Sequence, residues 1–309
     1  MRIIMKSKAL TATALIVVGL FGVTACSSGT PDPVPASAAI TSGIDEAAAA
    51  AVPQAIRDAG VLRVAAGIPY PPFLLIDENE ELSGLDFELA AALGEKLDLT
   101  FDMQQQAFAS VIPSLQADRF DIIMMGMNDS VERQQTLNFV DYINAGFTIV
   151  VQKGNPENIG TLLDLCGQTV AVQLSTIQGE ILRDLVPKCA AQGREGVEVQ
   201  ELPAANDAQT ALKSGRVQAY VVDAPVAAFT VETSGGGEDF EGVQDPVNPQ
   251  GFNPVYTGFG LLKENADMTE ALRLALQALI DEGVYGDIMA AYGMAPLSVT
   301  EAIINRAGE

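Results

Sequence analysis

Short apolar segments alternate with segments of helical periodicity along most of this chain, and this alternation constrains its fold more than any other feature. Residues 61–66 and 169–173 are short apolar runs that predict strands, whereas residues 85–93 carry apolar side chains at helical spacing. Strands that alternate with helices indicate an α/β protein with largely parallel sheets. A length of 309 residues with 48% hydrophobic content suffices for one large or two medium domains.

The alternation falls into two groups, which predicts two lobes. The chain is expected to cross between them twice, near Val150 and near Gly251. The predicted boundaries are residues 56–149 with 253–309 for the first lobe and residues 150–252 for the second.

The segment from Asp121 to Arg133 predicts an anion-binding position. An apolar run that ends at Gly126 is followed by small polar groups and then by Arg133, as expected where a buried strand gives way to a helix around residues 130–135. Helix-start amides and a guanidinium fork both match a carboxylate. The alternative is an ordinary strand end whose arginine is a solvated surface charge.

Composition disfavours several classes of function. Forty acidic residues against 17 basic ones give a formal net charge of -23, which argues against a nucleic-acid partner because phosphate contacts need clustered bases. The chain contains no histidine, so a Ser-His-Asp arrangement is excluded and most zinc sites are disfavoured. We therefore predict no metal and no cofactor, and the lack of the commonest general base disfavours catalysis.

The N-terminus predicts export and lipidation. Basic residues precede an apolar run over residues 9–23 that is short for a membrane span. Val23-Thr24-Ala25-Cys26 then resembles a bacterial lipobox, which makes residues 1–25 a signal peptide and Cys26 a lipid-modified first residue. An ordinary signal peptide with an incidental Cys26 is the alternative. Residues 26–55 predict a flexible stalk, helical near its end, and place the protein on the extracytoplasmic side of the cell membrane.

The two remaining cysteines, Cys166 and Cys189, predict a disulfide. An isolated pair in an exported chain favours a disulfide over a metal or redox site, and the two residues do not form a CxxC motif. A pair of reduced core cysteines is the alternative.

The globular part resembles the extracellular solute-binding proteins of ABC importers, in the branch that binds amino acids. The similarity runs from about Gly60 to Met294 and rests on the order and spacing of eight pieces. These include Tyr70-Pro71-Pro72-Phe73 together with residues 60–64, 84–90, 112–115, 126–133, 167–172, 211–216 and 283–285. The resemblance implies a periplasmic-binding-protein-like fold of type II, in which two lobes joined by two crossing strands close over a ligand in the cleft between them.

The resemblance also implies how an amino acid is held. Arg133 matches the arginine that clamps the α-carboxylate. Ser175 and Thr176 match the place where a hydroxyl and helix-start amides of the second lobe complete that clamp. Asp223 matches the acid that binds the α-ammonium, although it is also placed to cap the helix that begins at Ala224.

Other matched positions concern the ligand's backbone and side chain. Gly126 matches a carbonyl that accepts from the ammonium, and Asn128 stands where relatives usually have Thr or Ser. Tyr70 and Phe108 match aromatic walls for the ligand side chain. Three more positions complete the comparison: Ser130 as a helix cap, Asp129 as a second departure that weakens or orients the Arg133 clamp, and Gly67 where some relatives carry an acid. The side-chain pocket is therefore expected to be neutral, which argues against a cationic ligand.

These features predict a monomeric, non-catalytic binding protein that captures a small zwitterion, an amino acid above all, and delivers it to an ABC permease. Two alternatives remain open at this point. One is an enzyme on the same scaffold, such as a dehydratase, and the other is a sensory ligand-binding protein.

Overall fold

The computed structural model describes residues 43–308. The predicted signal peptide, Cys26 and residues 26–42 of the predicted stalk lie outside the described residues. Two short helices, α1 (Glu46–Ala51) and α2 (Gln54–Ala59), precede the first strand. Asp45 caps α1 by accepting a hydrogen bond from the Ala48 amide at 2.8 Å, and Ala48 is fully buried. Residues 46–55, at the end of the predicted stalk, therefore belong to the folded body.

A first parallel unit forms one end of the sheet. Strand β1 (Val61–Ala66) lies between β4 (Thr100–Gln105) and β5 (Ile122–Ile123), parallel to both. A small antiparallel pair, β2 (Leu75–Ile76) and β3 (Leu82–Ser83), precedes helix α3 (Leu85–Leu97). Helix α4 (Val111–Gln116) follows a single 3-10 turn, and the proline at residue 113 lies in its first turn, where a proline is tolerated.

A second parallel unit forms the other end. Strand β7 (Thr169–Gln173) lies between β8 (Glu198–Leu202) and β9 (Ala219–Asp223). The helices of this unit are α5 (Ile177–Ala191), α6 (Ala205–Lys213) and α7 (Ala224–Thr233). Strand β7 has the predicted bounds, and the other elements continue the predicted alternation of strands and helices.

Two long antiparallel strands join the parallel units. Strand β6 (Leu137–Gln152) pairs with β11 (Phe252–Leu262), and from Phe147 onward it pairs with β9. Strand β6 also pairs antiparallel with β10 (Phe240–Val243) and β12 (Ser298–Ile304). Helices α8 (Ala266–Asp281) and α9 (Val284–Ala291) lie between β11 and β12 in the chain. The sequence predicts extension only over residues 146–151, because three polar residues, among them the fully buried Asp141, interrupt the apolar pattern before them.

The predicted helix around residues 130–135 is wrong. The structure has only one 3-10 turn there, Arg133–Gln135, because β6 already begins at Leu137 and leaves no room for a second turn. Ser130 does play the expected capping role, since its hydroxyl accepts from the Arg133 amide at 3.2 Å. The amides of an α-helix therefore do not accompany Arg133 at this point of the chain.

A disulfide joins Cys166 to Cys189, which confirms that prediction. Both residues are buried in an apolar cluster that includes Leu165, Val170 and Leu182. The bond closes a loop with a sequence separation of 23 residues, and restricting such a loop in the unfolded chain stabilises the fold by about 3 kcal/mol. None of the helices in the part of the chain that the structure describes is long and apolar enough to cross a membrane.

Candidate ligand-binding site

Asp223 is the centre of a buried hydrogen-bond cluster at the carboxyl end of β9. Its carboxylate accepts from the Tyr70 hydroxyl at 2.6 Å, from the Asn128 amide at 3.1 Å and from the Gln178 amide at 2.9 Å. The side chain makes no capping bond to helix α7, so the capping alternative does not describe its contacts. Tyr70 and Asn128 precede β6 in the chain, as the first parallel unit does, whereas Gln178 lies in α5 of the second parallel unit. The carboxylate of Asp223 therefore connects residues from both parts of the chain.

The charge of Asp223 is poorly balanced by these contacts. The residue is 8% exposed, and burial raises the pKa of its carboxyl. The three hydrogen bonds and the charge of Arg133 lower that pKa, but burial has the larger effect. All three side chains that donate to it are neutral. A buried carboxylate in such surroundings favours a cationic partner, because an unpaired buried charge is costly.

Arg133 lies on the other side of Asn128. Its guanidinium donates from Nη1 to the backbone oxygen of Asn128 at 2.7 Å and from Nη2 to the backbone oxygen of Ser175 at 3.0 Å. The guanidinium carbon also lies 5.3 Å from the centre of the Phe108 ring, within the range of a cation–π contact. Two bonds use part of a fork with five N–H donors, so the fork retains capacity for a carboxylate.

The segment that enters α5 faces this guanidinium. Ser175 has a φ of +65°, and its carbonyl is the one that accepts from Arg133. Thr176 is the residue before α5, but its hydroxyl donates to the Gln173 carbonyl at 2.7 Å and does not cap the helix. Arg133 therefore contacts the residue that stands two positions before the first residue of this 15-residue helix, and amides at a helix start suit an anion.

Tyr70, Phe108 and Gly126 surround the next part of the site. Gly126 has a φ of +63°, and a Cβ there would lie 3.1 Å from the Tyr70 ring and 3.2 Å from the Phe73 ring. The glycine therefore permits both the backbone turn and the close approach of two stacked aromatic rings, whose centres are 5.7 Å apart. Tyr70 and Phe108 both line a cavity of about 410 Å³.

Three residues of this region escape sequence reasoning. Gln178 resembles any polar residue in the first turn of a helix. Thr257 lies in the middle of β11, and no motif around it in the sequence indicates a role in a site. Thr257 accepts from the Asn128 amide at 3.1 Å. Asp86, in the first turn of α3, resembles a solvated helix-start acid but is fully buried. Only the last could have been suspected, because it stands within an apolar helical pattern.

Asp129 does not contact the guanidinium of Arg133 through a hydrogen bond. Its carboxylate accepts from the Gln134 amide at 2.8 and 2.9 Å and from the backbone amide of Ala307 at 2.9 Å. The charges of Asp129 and Arg133 also attract each other, so the carboxylate has a structural role in addition to the expected influence on the clamp. Asp129 anchors the C-terminal segment.

Asp86 binds the backbone of Gly126 through a buried hydrogen bond. Its carboxylate accepts from the Tyr142 hydroxyl at 2.6 Å and from the Gly126 amide at 3.2 Å, and burial raises the pKa of the Asp86 carboxyl to about 7. The native protein therefore binds a proton at Asp86 more tightly than the unfolded chain does, over the range from about pH 4 to pH 7.

We expect Asp86→Asn to remove a pH dependence of stability. In the wild-type protein this carboxyl makes the free energy of unfolding fall as pH rises from about 4 to about 7, and level off above that. Asparagine mimics the neutral acid, since it can donate to Tyr142 and accept from Gly126. Between pH 5 and pH 8 the variant should gain roughly 3 kcal/mol relative to wild type in urea unfolding. Parallel stability curves for the two proteins would contradict this.

Comparison with known proteins identifies the family of this chain. The family model for bacterial extracellular solute-binding proteins, family 3, matches residues 62–295. The arginine-binding protein ArgT of Corynebacterium glutamicum is 34% identical over 279 residues, covering 89% of this chain and 84% of that protein.

Solved structures of amino-acid-binding proteins have a fold similar to that of this chain. An ancestral arginine-binding protein bound to arginine is 31% identical with a TM-score of 0.67, covering 75% of this chain and 98% of that one. A structure of an ancestral arginine-binding protein bound to glutamine is 33% identical with a TM-score of 0.65, covering 76% and 98%. These neighbours confirm the two-lobed fold, and the relatives are binding proteins rather than enzymes. The chain therefore belongs to family 3 of the bacterial extracellular solute-binding proteins, the amino-acid-binding type that serves ABC importers.

Proposed function

We propose that this protein holds the α-ammonium of a free amino acid at Asp223 and its α-carboxylate at Arg133, and delivers the ligand to an ABC permease. One observation carries the proposal. Asn128 binds both charged groups, because its backbone oxygen accepts from Arg133 while its side-chain amide donates to Asp223. An acid and a base held on either side of one residue match the opposite charges of a zwitterion.

Each charged group of the ligand would pair with a protein group of opposite charge. The ammonium brings a positive charge to Asp223, whose side-chain donors are all neutral. The carboxylate receives the open part of the Arg133 fork and the first amides of α5. Gly126, Ser175 and Thr176 complete the set of residues that we propose to contact the ligand's charged groups.

The contacts also explain how binding couples to closure of the cleft. We assign residues 56–149 and 253–309 to one lobe and 150–252 to the other, and the change of β6 partners at Phe147 supports this division. Tyr70 bonds Asp223, and Arg133 bonds Ser175, so direct hydrogen bonds already join the two proposed lobes. A ligand that contacts both lobes stabilises the closed form by its differential affinity for it.

We further propose that the protein works as a monomer tethered by lipid at Cys26. The lipobox-like sequence Val23-Thr24-Ala25-Cys26 supports the tether. Wild-type protein expressed in a bacterial host should partition into detergent with the membrane fraction, whereas Cys26→Ser should not. Equal partitioning of both would contradict the anchor.

A thermal-shift screen of the common L-amino acids tests the binding function. A ligand at 100 times its Kd stabilises the native state by about 2.7 kcal/mol, which should raise Tm by at least about 5 °C. The control is the matching set of keto acids and decarboxylated amines, each of which lacks one of the two charges. A panel without any amino-acid shift, or one in which amines and keto acids shift Tm equally well, would contradict the proposal.

A further inference from the structure

The cavity beside Tyr70 and Phe108 offers polar but uncharged surroundings, and we infer that it selects an amino acid whose side chain ends in a neutral amide or ureido group. This inference rests on the proposed function, because the cavity adjoins the two charged anchors through shared walls. Tyr70 bonds Asp223, and Phe108 packs against Arg133. A ligand backbone held at the anchors therefore directs its side chain into the cavity.

The size of the cavity suits a long side chain. Its volume of about 410 Å³ lies in the range of small-molecule sites. One wall comes from the first lobe and includes Gly67 and Met125, and the opposite wall comes from the second and includes Gln173 and Ala204. The cavity therefore forms between the same two groups of elements that supply the anchors.

Three glutamines provide the polar surface of the cavity. The Gln105 amide donates to the Ile68 carbonyl and the Gln106 amide donates to the Ser110 hydroxyl, each at 2.6 Å. Within the part of the chain that the structure describes, the side chain of Gln173 has no hydrogen-bond partner, although it is half-buried. An amide presents one acceptor and two N–H donors, so Gln173 can both donate to and accept from another amide.

Charged side chains fit these surroundings poorly. None of the described residues that line the cavity carries a charge, so a guanidinium or carboxylate placed there would find no counter-charge among the lining side chains. The nearby Asp207 is exposed, accepts from the Ala204 amide at 3.2 Å and is not among the lining residues. A neutral group with both donors and acceptors avoids this cost.

Gly67 is the position where a charge can be added to test this. A Cβ at Gly67 would lie 3.0 Å from the terminal carbon of Met125 and 3.8 Å from the Cβ of Tyr70, both lining residues. The nearest of these atoms is the flexible end of a methionine, which can move, whereas the Cβ of the same methionine, at 3.3 Å, must shift by a few tenths of an ångström. A carboxylate built at residue 67 would therefore enter the cavity.

Two isosteric ligand pairs test the wild-type protein by calorimetry. Citrulline and arginine differ at the side-chain end by a neutral ureido against a cationic guanidinium, and glutamine and glutamate differ by an amide against a carboxylate. We expect the neutral member of each pair to bind at least 10-fold tighter. Arginine binding as tightly as citrulline, or glutamate as tightly as glutamine, overturns the inference.

Variants at Gly67 test the cause. Gly67→Asp should raise the affinity for arginine relative to citrulline at least 10-fold over the same ratio in Gly67→Asn, which has nearly the same shape without the charge. An equal ratio in both variants overturns the role of charge. If neither variant folds, the wild-type pairs still decide. Failure of every amino acid to bind overturns the proposed function as well, whereas preference for arginine overturns this inference alone.

Discussion

Replacing Asp223 with asparagine is expected to weaken amino-acid binding at least 100-fold. The substitution keeps the size of the side chain but removes the negative charge that the ligand ammonium would pair with. It also places an NH2 group among three donors, from Tyr70, Asn128 and Gln178, so that one donor must lose its acceptor. The lost charge-assisted bond to the ammonium is worth about 3 kcal/mol of binding free energy, whereas the unpaired donor lowers the stability of the variant. Calorimetry with the preferred ligand measures the change.

Two controls separate charge from structure at Asp223. Asp287→Asn makes the same chemical change at an exposed position in α9 and should leave affinity unaltered. Tyr70→Phe removes one donor to Asp223 but keeps the carboxylate, and should cost much less than Asp223→Asn. A keto acid, which lacks the ammonium, should bind weakly to wild type and lose little more in the variant. Affinity within threefold of wild type in Asp223→Asn would contradict the assignment.

Replacing Arg133 with lysine should weaken binding about 100-fold even though the positive charge is retained. The present guanidinium spans the backbone oxygens of Asn128 and Ser175 while it packs on Phe108, and a planar fork is needed to do this and also bind a carboxylate. Lysine offers a compact ammonium on a flexible stem. The loss corresponds to about 2.7 kcal/mol, measured by calorimetry at fixed ionic strength.

The matched control for Arg133 is Arg273→Lys. Arg273 pairs with Glu270 within helix α8, so the same substitution there should leave ligand affinity unchanged. A decarboxylated amine distinguishes the ligand groups, because it should bind wild type and Arg133→Lys about equally weakly. If the amine loses as much affinity as the intact amino acid in the variant, Arg133 acts on the fold of the site and does not clamp the carboxylate.

Much of the fold was predictable because it depends on local pattern. The alternation of apolar runs and helical spacing places β1, β7 and α3 correctly, since the side-chain period along the chain reports which face is buried. Elements whose burial depends on distant partners were missed or shortened. The pattern of the first half of β6 does not predict a strand, because its pairing and the burial of Asp141 depend on β11 and β12, which lie more than 100 residues further along the chain.

The same division holds for the site. The presence of a guanidinium and an acid at strand ends, the neutral residue at position 67 and the cysteine pair are all visible in the sequence. The convergence on Asp223 is not, because Tyr70 and Asn128 are 153 and 95 residues away along the chain. No local periodicity encodes such distances.

The sequence by itself thus determined the class of fold and the two opposite charges, because residue type and short-range spacing carry that information, whereas the neutral side-chain pocket was implied by the family resemblance. Tertiary structure alone decided that Asn128 lies between Arg133 and Asp223, that Gln178 and Thr257 join them, and that Asp129 binds the C-terminal segment. The physical reason is that hydrogen bonds and burial depend on which strands meet in space. That meeting is set by the long β6 and β11 pairing, which only the folded chain reveals.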